Sequence, residues 1–288
     1  MVVWQVPCES RSSPSLSFRT HPSCLGWVFY CVDFMDQLRQ RLHTLFPDLN
    51  LYLFDRLPST SGYLVSHKHE LSYPALCYTP HQTAGKGTFQ KVWSSPTQSL
   101  TFSLALKIPS TLNELSAFST LVGLNVIQVL DALGLKQSFR LKWPNDIFDD
   151  HGKVGGVLIE VLQSDANACV LSIGIGLNFS RIVLEDHSAD YTSSFIEFNS
   201  PLRVLEYLIE VLLRFQHRES FLLTPDELQY AQSKDYFTFH EEITLLNRDT
   251  GDSLDAIYCG LQDNGVCLVS RAGQLQVLSS ANMSIRKK

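Results

Sequence analysis

Between Ser99 and Ile108, Leu100, Phe102, Leu104 and Leu106 alternate with small or polar residues. That period of two is the mark of a strand with one buried face. Apolar runs at Leu49–Leu57, Tyr73–Thr79, Ser138–Trp143, Lys153–Gln163 and Ala168–Asn178 predict further strands. The turn-forming stretches Asp149–Gly152 and Ser164–Asn167 separate the last three as hairpins, which predicts a largely antiparallel sheet. Steps of three and four appear elsewhere. Leu38, Leu42 and Leu45 give one face to a helix over Met35–Phe46. Leu115, Phe118, Val122, Val126, Val129 and Leu133 do the same over Thr111–Gly134, with a Thr111/Glu114 capping box and Gly134 at the stop. Pro201–Leu223 predicts another long amphipathic helix, and the cap-forming start of Pro58–Ser66 a short one. After about residue 225 the pattern changes. Glu241–Arg286 carries short strands broken by turns such as Asp263-Asn264-Gly265, the pattern of a small β-barrel or sandwich. The expected class is α+β: a mixed, largely antiparallel sheet flanked by helices, followed by a small all-β domain.

Composition adds limits. The 288 residues are 44% hydrophobic and 18% charged, an ordinary globular balance with ample core. A net charge of −6 argues against a dedicated nucleic-acid binder. The seven cysteines include no CxxC pair, and several lie within apolar strands; they read as free thiols of a reducing, cytoplasmic compartment. No apolar run approaches the length of a membrane span. Residues 1–34 read as a lead outside the fold, either disordered or an over-extended start with Met35 as the initiator, although Cys24–Val32 within it is apolar.

Four segments place polar residues and glycines at strand ends. In Gln82–Gly87 two glycines flank Lys86. Alone this is a turn; otherwise its backbone N–H groups and lysine can hold an anion. In Lys142–Asp146, Pro144 stiffens the mount of Asn145 and Asp146. In Gly152–Glu160, Lys153 opens a strand whose Gly155 and Gly156 invite close approach by a backbone or a ligand. Gly174–Asn178 repeats that pattern with an amide at its end. Together they suit a pocket for a phosphate-bearing nucleotide and a small acid.

In order and wording these segments resemble a biotin–protein ligase: PSTSGYL, QTAGKG…VWSSP, LKWPNDIF, GKVGGVLIE and IGIGLN, from about Leu51 to Arg286. The resemblance implies a class II synthetase-like catalytic domain over residues 35–228 and an SH3-like domain over residues 229–288. It also implies the monofunctional type, because residues 1–48 are too short and irregular for the DNA-binding winged helix that some members carry. The implied reaction joins biotin to ATP, with Mg2+, as biotinyl-5′-AMP. The biotinyl group then passes to one lysine of a biotin carboxyl carrier domain, the work of a monomer or homodimer with neither DNA nor membrane as partner. A lipoate or octanoate ligase of the same fold, or a non-catalytic biotin-binding module, are the competing readings.

Residue by residue, the resemblance gives Lys153 to the biotin carboxylate and reacting phosphate, Lys86 to the acyl-phosphate region, and Asp146 to the acceptor lysine. Ser59, Thr60, Gln82 and the backbone near Gly85 would hold the ureido ring. Gly155 and Gly156 would leave room for the thiophane ring and valeryl chain. Gly87, Trp93, Asn145 and Asn178, with both lysines, would hold the nucleotide. Two departures stand out: Ser61 where asparagine is common, and Thr88 where an arginine usually follows Gly-Lys-Gly. Losing that arginine removes a charge-assisted contact worth about 1.5–3 kcal/mol, to be offset by Lys91 or felt as weaker retention of the intermediate.

Overall fold

A computed structural model describes residues 24–88, 91–93, 98–180, 193–247, 249–278 and 283–288. Residues 1–23 of the expected lead, and the Ser94–Pro96 end of the VWSSP stretch, lie outside the described residues. The chain divides into two compact units, Met1–Leu49 and Asn50–Lys288. In the first, helix α1 spans Cys24–Leu45, and so begins upstream of the Met35 start that the periodicity predicts. Leu38 and Leu42 are buried as the spacing requires, while Leu45 is 49% exposed.

The second unit holds a seven-stranded sheet in the order β1-β2-β5-β9-β8-β7-β6. Its strands are β1 (Asn50–Leu53), β2 (Ala75–Tyr78), β5 (Ser99–Ile108), β6 (Arg140–Lys142), β7 (Asp146–Phe148), β8 (Lys153–Ser164) and β9 (Cys169–Asn178). Only β1 and β2 run parallel; every other pairing is antiparallel. Strand β7 had no counterpart in the pattern, because three residues are too few to show a period. The hairpin turns fall where expected. Asp149 Oδ1 accepts from the N–H groups of His151 and Gly152, and Asp165 Oδ1 from those of Asn167 and Ala168. The sequence Gln82–Gly87 is not a turn: Gly85 and Lys86 form β3, which pairs with β4 (Val92–Trp93) as a separate two-stranded hairpin.

Register sorts the two faces of the large sheet. Gly156, Gly176 and Thr101 are cross-strand neighbours, as are Leu158, Gly174 and Ser103. Further along the same face Cys77, Ala105 and Val170 pack beneath Leu64 of α2 (Thr60–Ser66). Gly155 and Leu141 point to the opposite face. There Leu141 lies against Gly123 of α3 (Phe118–Ala132), where a Cβ would come within 2.6 Å of the leucine. Helix α4 (Pro201–Leu213) packs on α3 and β5.

Two helices differ from the periodicity. The capping box of Thr111 and Glu114 forms, but it starts a short 3-10 turn at Leu112–Leu115, and α3 begins only at Phe118. Helix α4 ends at Leu213, the chain tightens into a 3-10 turn at Arg214–His217, and Arg218 then leaves the helical path. Its guanidinium grips both oxygens of Glu227 at 2.7 Å, in the first turn of α5 (Pro225–Ser233). No helix among the described residues is long and apolar enough to cross a membrane.

The C-terminal part is the expected SH3-like unit. It is a five-stranded antiparallel sheet of β10 (Glu242–Asn247), β11 (Ser253–Leu261), β12 (Cys267–Arg271), β13 (Gln274–Leu278) and β14 (Met283–Lys287), in the order β13-β12-β11-β10-β14. The chain enters it along the edge of β6. Leu141 N donates to Lys234 O at 2.7 Å, and Tyr236 N to Leu141 O at 3.0 Å. Between them Asp235 accepts the phenol proton of Tyr258. Burial pushes the Asp235 carboxyl from 3.8 up to about 6 and the Tyr258 phenol higher still. A carboxyl with a raised folded-state pKa adds stability that is full below the unfolded value and is lost as pH rises through about 6. Urea unfolding across pH 4–7 should show the native chain losing roughly 2–3 kcal/mol relative to Asp235→Asn. Parallel profiles for the two proteins would contradict this.

Candidate active site

The glycine-bearing face of the sheet forms the floor of an open cleft. Its walls come from three directions: the start of α2, the β3–β4 hairpin, and the turn between β6 and β7 with the start of β8. Helix α2 starts here because Ser59, in extended conformation, accepts from Gly62 N through its hydroxyl. Ser59, Thr60 and Ser61 are all buried. Gln82 ties this helix start to the hairpin. Its Oε1 accepts from Thr60 N at 2.8 Å and from Thr60 Oγ1 at 3.3 Å, and Thr60 Oγ1 also bonds Ser103 Oγ at 2.8 Å.

Across the floor, Lys153 Nζ meets Asp146 Oδ1 at 2.5 Å. The pair is half-buried, and Lys153 also lies 5.6 Å from the centre of the Trp93 ring. Sequence spacing alone hides this meeting, because the two residues sit at opposite ends of the β7–β8 hairpin. Asn145 fixes the mount. Its side-chain amide donates to Val157 O at 2.7 Å while its own carbonyl accepts from Val157 N at 2.9 Å. Lys86 is exposed at the rim, with its ammonium near Gly62.

The glycines divide by face. Gly156 and Gly176 line the cleft, whereas Gly155 faces away and is closed off by Leu177. Gly176 gives its space to Trp93, whose ring would lie 2.5 Å from a Cβ placed there. Trp93 Nε1, Asn178 Oδ1 and Ser99 Oγ are buried without a protein partner among the described residues. Ser99 and Asn178 pair across β5 and β9, one step along the face from Gly176. Unpaired buried polar atoms of this kind are costly unless something else bonds them.

Of the residues named from the sequence, Lys86, Gly87, Trp93, Asn145, Asp146, Lys153, Gly156, Thr60 and Gln82 line one cleft. Ser59, Gly85 and Asn178 are not part of that lining, and Gly155, expected to leave room for the ligand, lies on the opposite face of the sheet. Both departures, Ser61 and Thr88, are on it, whereas Lys91 is exposed off it. Ser103 escaped notice: it sits inside an ordinary alternating strand and shows its role only through its bond to Thr60.

Residues 53–178, the stretch that forms this cleft, match the biotin/lipoate A/B protein ligase family. The bifunctional ligase/repressor BirA of Salmonella typhimurium is 30% identical over 148 residues, 51% of this chain and 46% of that protein. A biotin–[acetyl-CoA-carboxylase] ligase of Paracoccus denitrificans is 28% identical over 126 residues, 43% of this chain and 52% of that protein. The chain thus spans about half the length of these relatives. Among solved structures, the biotin protein ligase of Aquifex aeolicus in complex with biotin and ATP superposes with a TM-score of 0.65. It is 24% identical, over 83% of this chain and 99% of that one. The apo form of the same protein gives 0.62 at 25% identity over the same shares.

Gly176→Ala should cost roughly 1–3 kcal/mol by forcing the indole off the sheet. Adding Trp93→Leu should restore most of that loss in a double-mutant cycle read by urea unfolding. Additive effects would mean that the ring and the glycine do not share the space.

Proposed function

We propose that this chain, whose residues 53–178 match the biotin/lipoate A/B protein ligase family, is a biotin–protein ligase. The observation that carries the reading is the Lys153–Asp146 pair on a glycine floor, opposite the Thr60–Gln82 cluster. It offers a cation at one end of the cleft and a neutral polar socket at the other. That is what a ureido ring joined by an apolar chain to a carboxylate requires.

In the first step a biotin carboxylate oxygen attacks the α-phosphorus of ATP. The bond to the β-phosphate breaks, and pyrophosphate leaves. Both reactants are anions, so the chief need is positioning and charge neutralisation. Lys153 serves as the cation at the point of attack, and Lys86 closes on the acyl phosphate from the rim. Thr60, with its backbone oriented by Gln82, holds the ureido ring. Trp93 and Asn178 flank the nucleotide, their unpaired polar atoms available to it. In the second step the ε-amine of a carrier lysine attacks the acyl carbon, AMP leaves, and the amine gives up a proton. Asp146 orients that amine and takes the proton as its bond to Lys153 loosens. The acceptor would be the biotin carboxyl carrier domain of a carboxylase. Mg2+ would enter with ATP as part of that substrate, with phosphate oxygens and water supplying most of its ligands. The compartment would be the cytoplasm, since Cys77, Cys169, Cys259 and Cys267 are free thiols.

Biotin-dependent exchange of labelled pyrophosphate into ATP tests the first step. Lys153→Ala should abolish exchange and leave the far-ultraviolet circular dichroism unchanged; a retained rate would refute the assignment. Thr88→Arg should tighten biotin binding roughly tenfold by restoring a charge-assisted contact at the cleft wall, as read by calorimetry. Unchanged affinity would mean that the wall is already complete.

A further inference from the structure

The β8–β9 ladder ends at the pair of Gly155 with Leu177, so Lys153 at the start of β8 and Asn178 at the end of β9 lie past its last rung. Residues 193–197 take over there. Ser194 N donates to Lys153 O at 2.8 Å, with Ser193 and Lys153 in parallel register. Two residues on, Ile196 N donates to Asn178 O at 2.7 Å. Ser194 and Ile196 are both buried. One short segment thus holds the backbone beneath the cation of the cleft and beneath the amide assigned to the nucleotide.

The segment has its own anchor in the connection between α3 and β6. Gln137 Nε2 donates to Phe195 O at 2.9 Å, and Gln137 Oε1 accepts from Glu197 N at 2.8 Å. The same Nε2 donates to Asp149 Oδ2 at 2.9 Å, which also accepts from Ser194 Oγ at 2.8 Å. These bonds fix the polarity of the amide. Turned over, its oxygen would face two acceptors and its N–H groups would face the N–H of Glu197, so all three bonds would be lost together. Asp149 is buried and tied to the β7–β8 turn through His151 N and Gly152 N. The clamp therefore joins three parts of the chain, and none of Gln137, Asp149 and Ser194 lines the cleft.

We propose that Gln137 is a positioning residue for adenylation: by clamping residues 193–197 to Asp149 it fixes Lys153 and Asn178 at the spacing that the carboxylate and the nucleotide need. The inference deepens the ligase reading and rests on it for the identity of the step. Lys153 neutralises charge as the two anions are driven together. A small shift of such a group is felt more in the rate than in binding, so the maximum rate falls while the Michaelis constants change little.

The test is biotin-dependent exchange of labelled pyrophosphate into ATP by the full chain, read beside the hydrogen exchange of the Ser194 and Ile196 amides by NMR. Gln137→Ala should lower the maximum rate roughly tenfold, leave KM for biotin and ATP within about threefold, and speed the exchange of both amides. Asp149→Asn should do the same, because its Nδ2 meets Gln137 Nε2 donor to donor, and it decides the matter if Gln137→Ala does not fold. Adding Gln137→Glu to Asp149→Asn supplies an acceptor for that amide and for Glu197 N, and should bring back most of the rate and of the protection. Arg218→Gln, which cuts the tie to Glu227, is the control for lost stability alone: a lower melting temperature with the maximum rate unchanged. A full rate in Gln137→Ala, a double variant no better than Asp149→Asn, or an Arg218→Gln variant that loses rate to the same degree would overturn the proposal. An unaltered chain that exchanges no pyrophosphate sinks the ligase reading instead. The clamp is then decided by amide exchange alone, and amides still protected in Gln137→Ala would overturn it.

Discussion

Lys153 and Asp146 meet at 2.5 Å over Gly156, the residue that pairs with Asp146 across β7 and β8 and whose missing side chain leaves room for both. The cleft is organised around this pair. A half-buried ammonium is costly unless it is compensated, and the carboxylate compensates it. The pair therefore holds a positive charge beside the glycine floor until an anion of higher charge competes for it. Asp149 secures the hairpin from beneath: it takes His151 N and Gly152 N on one oxygen and Gln137 Nε2 and Ser194 Oγ on the other. With all four donors satisfied, the loop cannot readily open, and Lys153 stays at the mouth of β8.

The walls of the cleft have different origins, and that difference suits a two-substrate reaction. One wall joins the α2 start to Gln82 and to Ser103 of β5, which stand 22 and 43 residues from Thr60 and both bond it. The other is assembled from distant parts of the chain, since the Trp143–Asp146 strap rests on α3, on β8 and on a turn near residue 265. The second wall depends on the turn near residue 265 through the bond from the Trp143 indole to Gly265 O.

Much of this was legible in the sequence, for physical reasons. The long strands β5, β8 and β9 show their period or apolar run over ten or more residues, and the hairpin turns carry aspartates that bond their own backbone. The lysines and the amides announced themselves as polar residues beside glycine within apolar runs. Hidden were features that depend on three-dimensional return: the three-residue β7, the Lys153–Asp146 contact, the bond between Ser103 and Thr60, and the early end of α4 where Arg218 leaves to bind Glu227. Gly155 and Gly156 looked equivalent as a pair. Only the register shows that one faces the cleft and the other Leu177.

The most direct measurement of the central claim is the mass of a purified biotin carboxyl carrier domain after incubation with this protein and Mg·ATP, with biotin and lipoate supplied in parallel. The account predicts one biotinyl addition on one lysine, no addition with lipoate, and none with either acid when ATP is omitted. Addition of lipoate in place of biotin, or an unmodified carrier beside a folded chain that binds biotin, would contradict it.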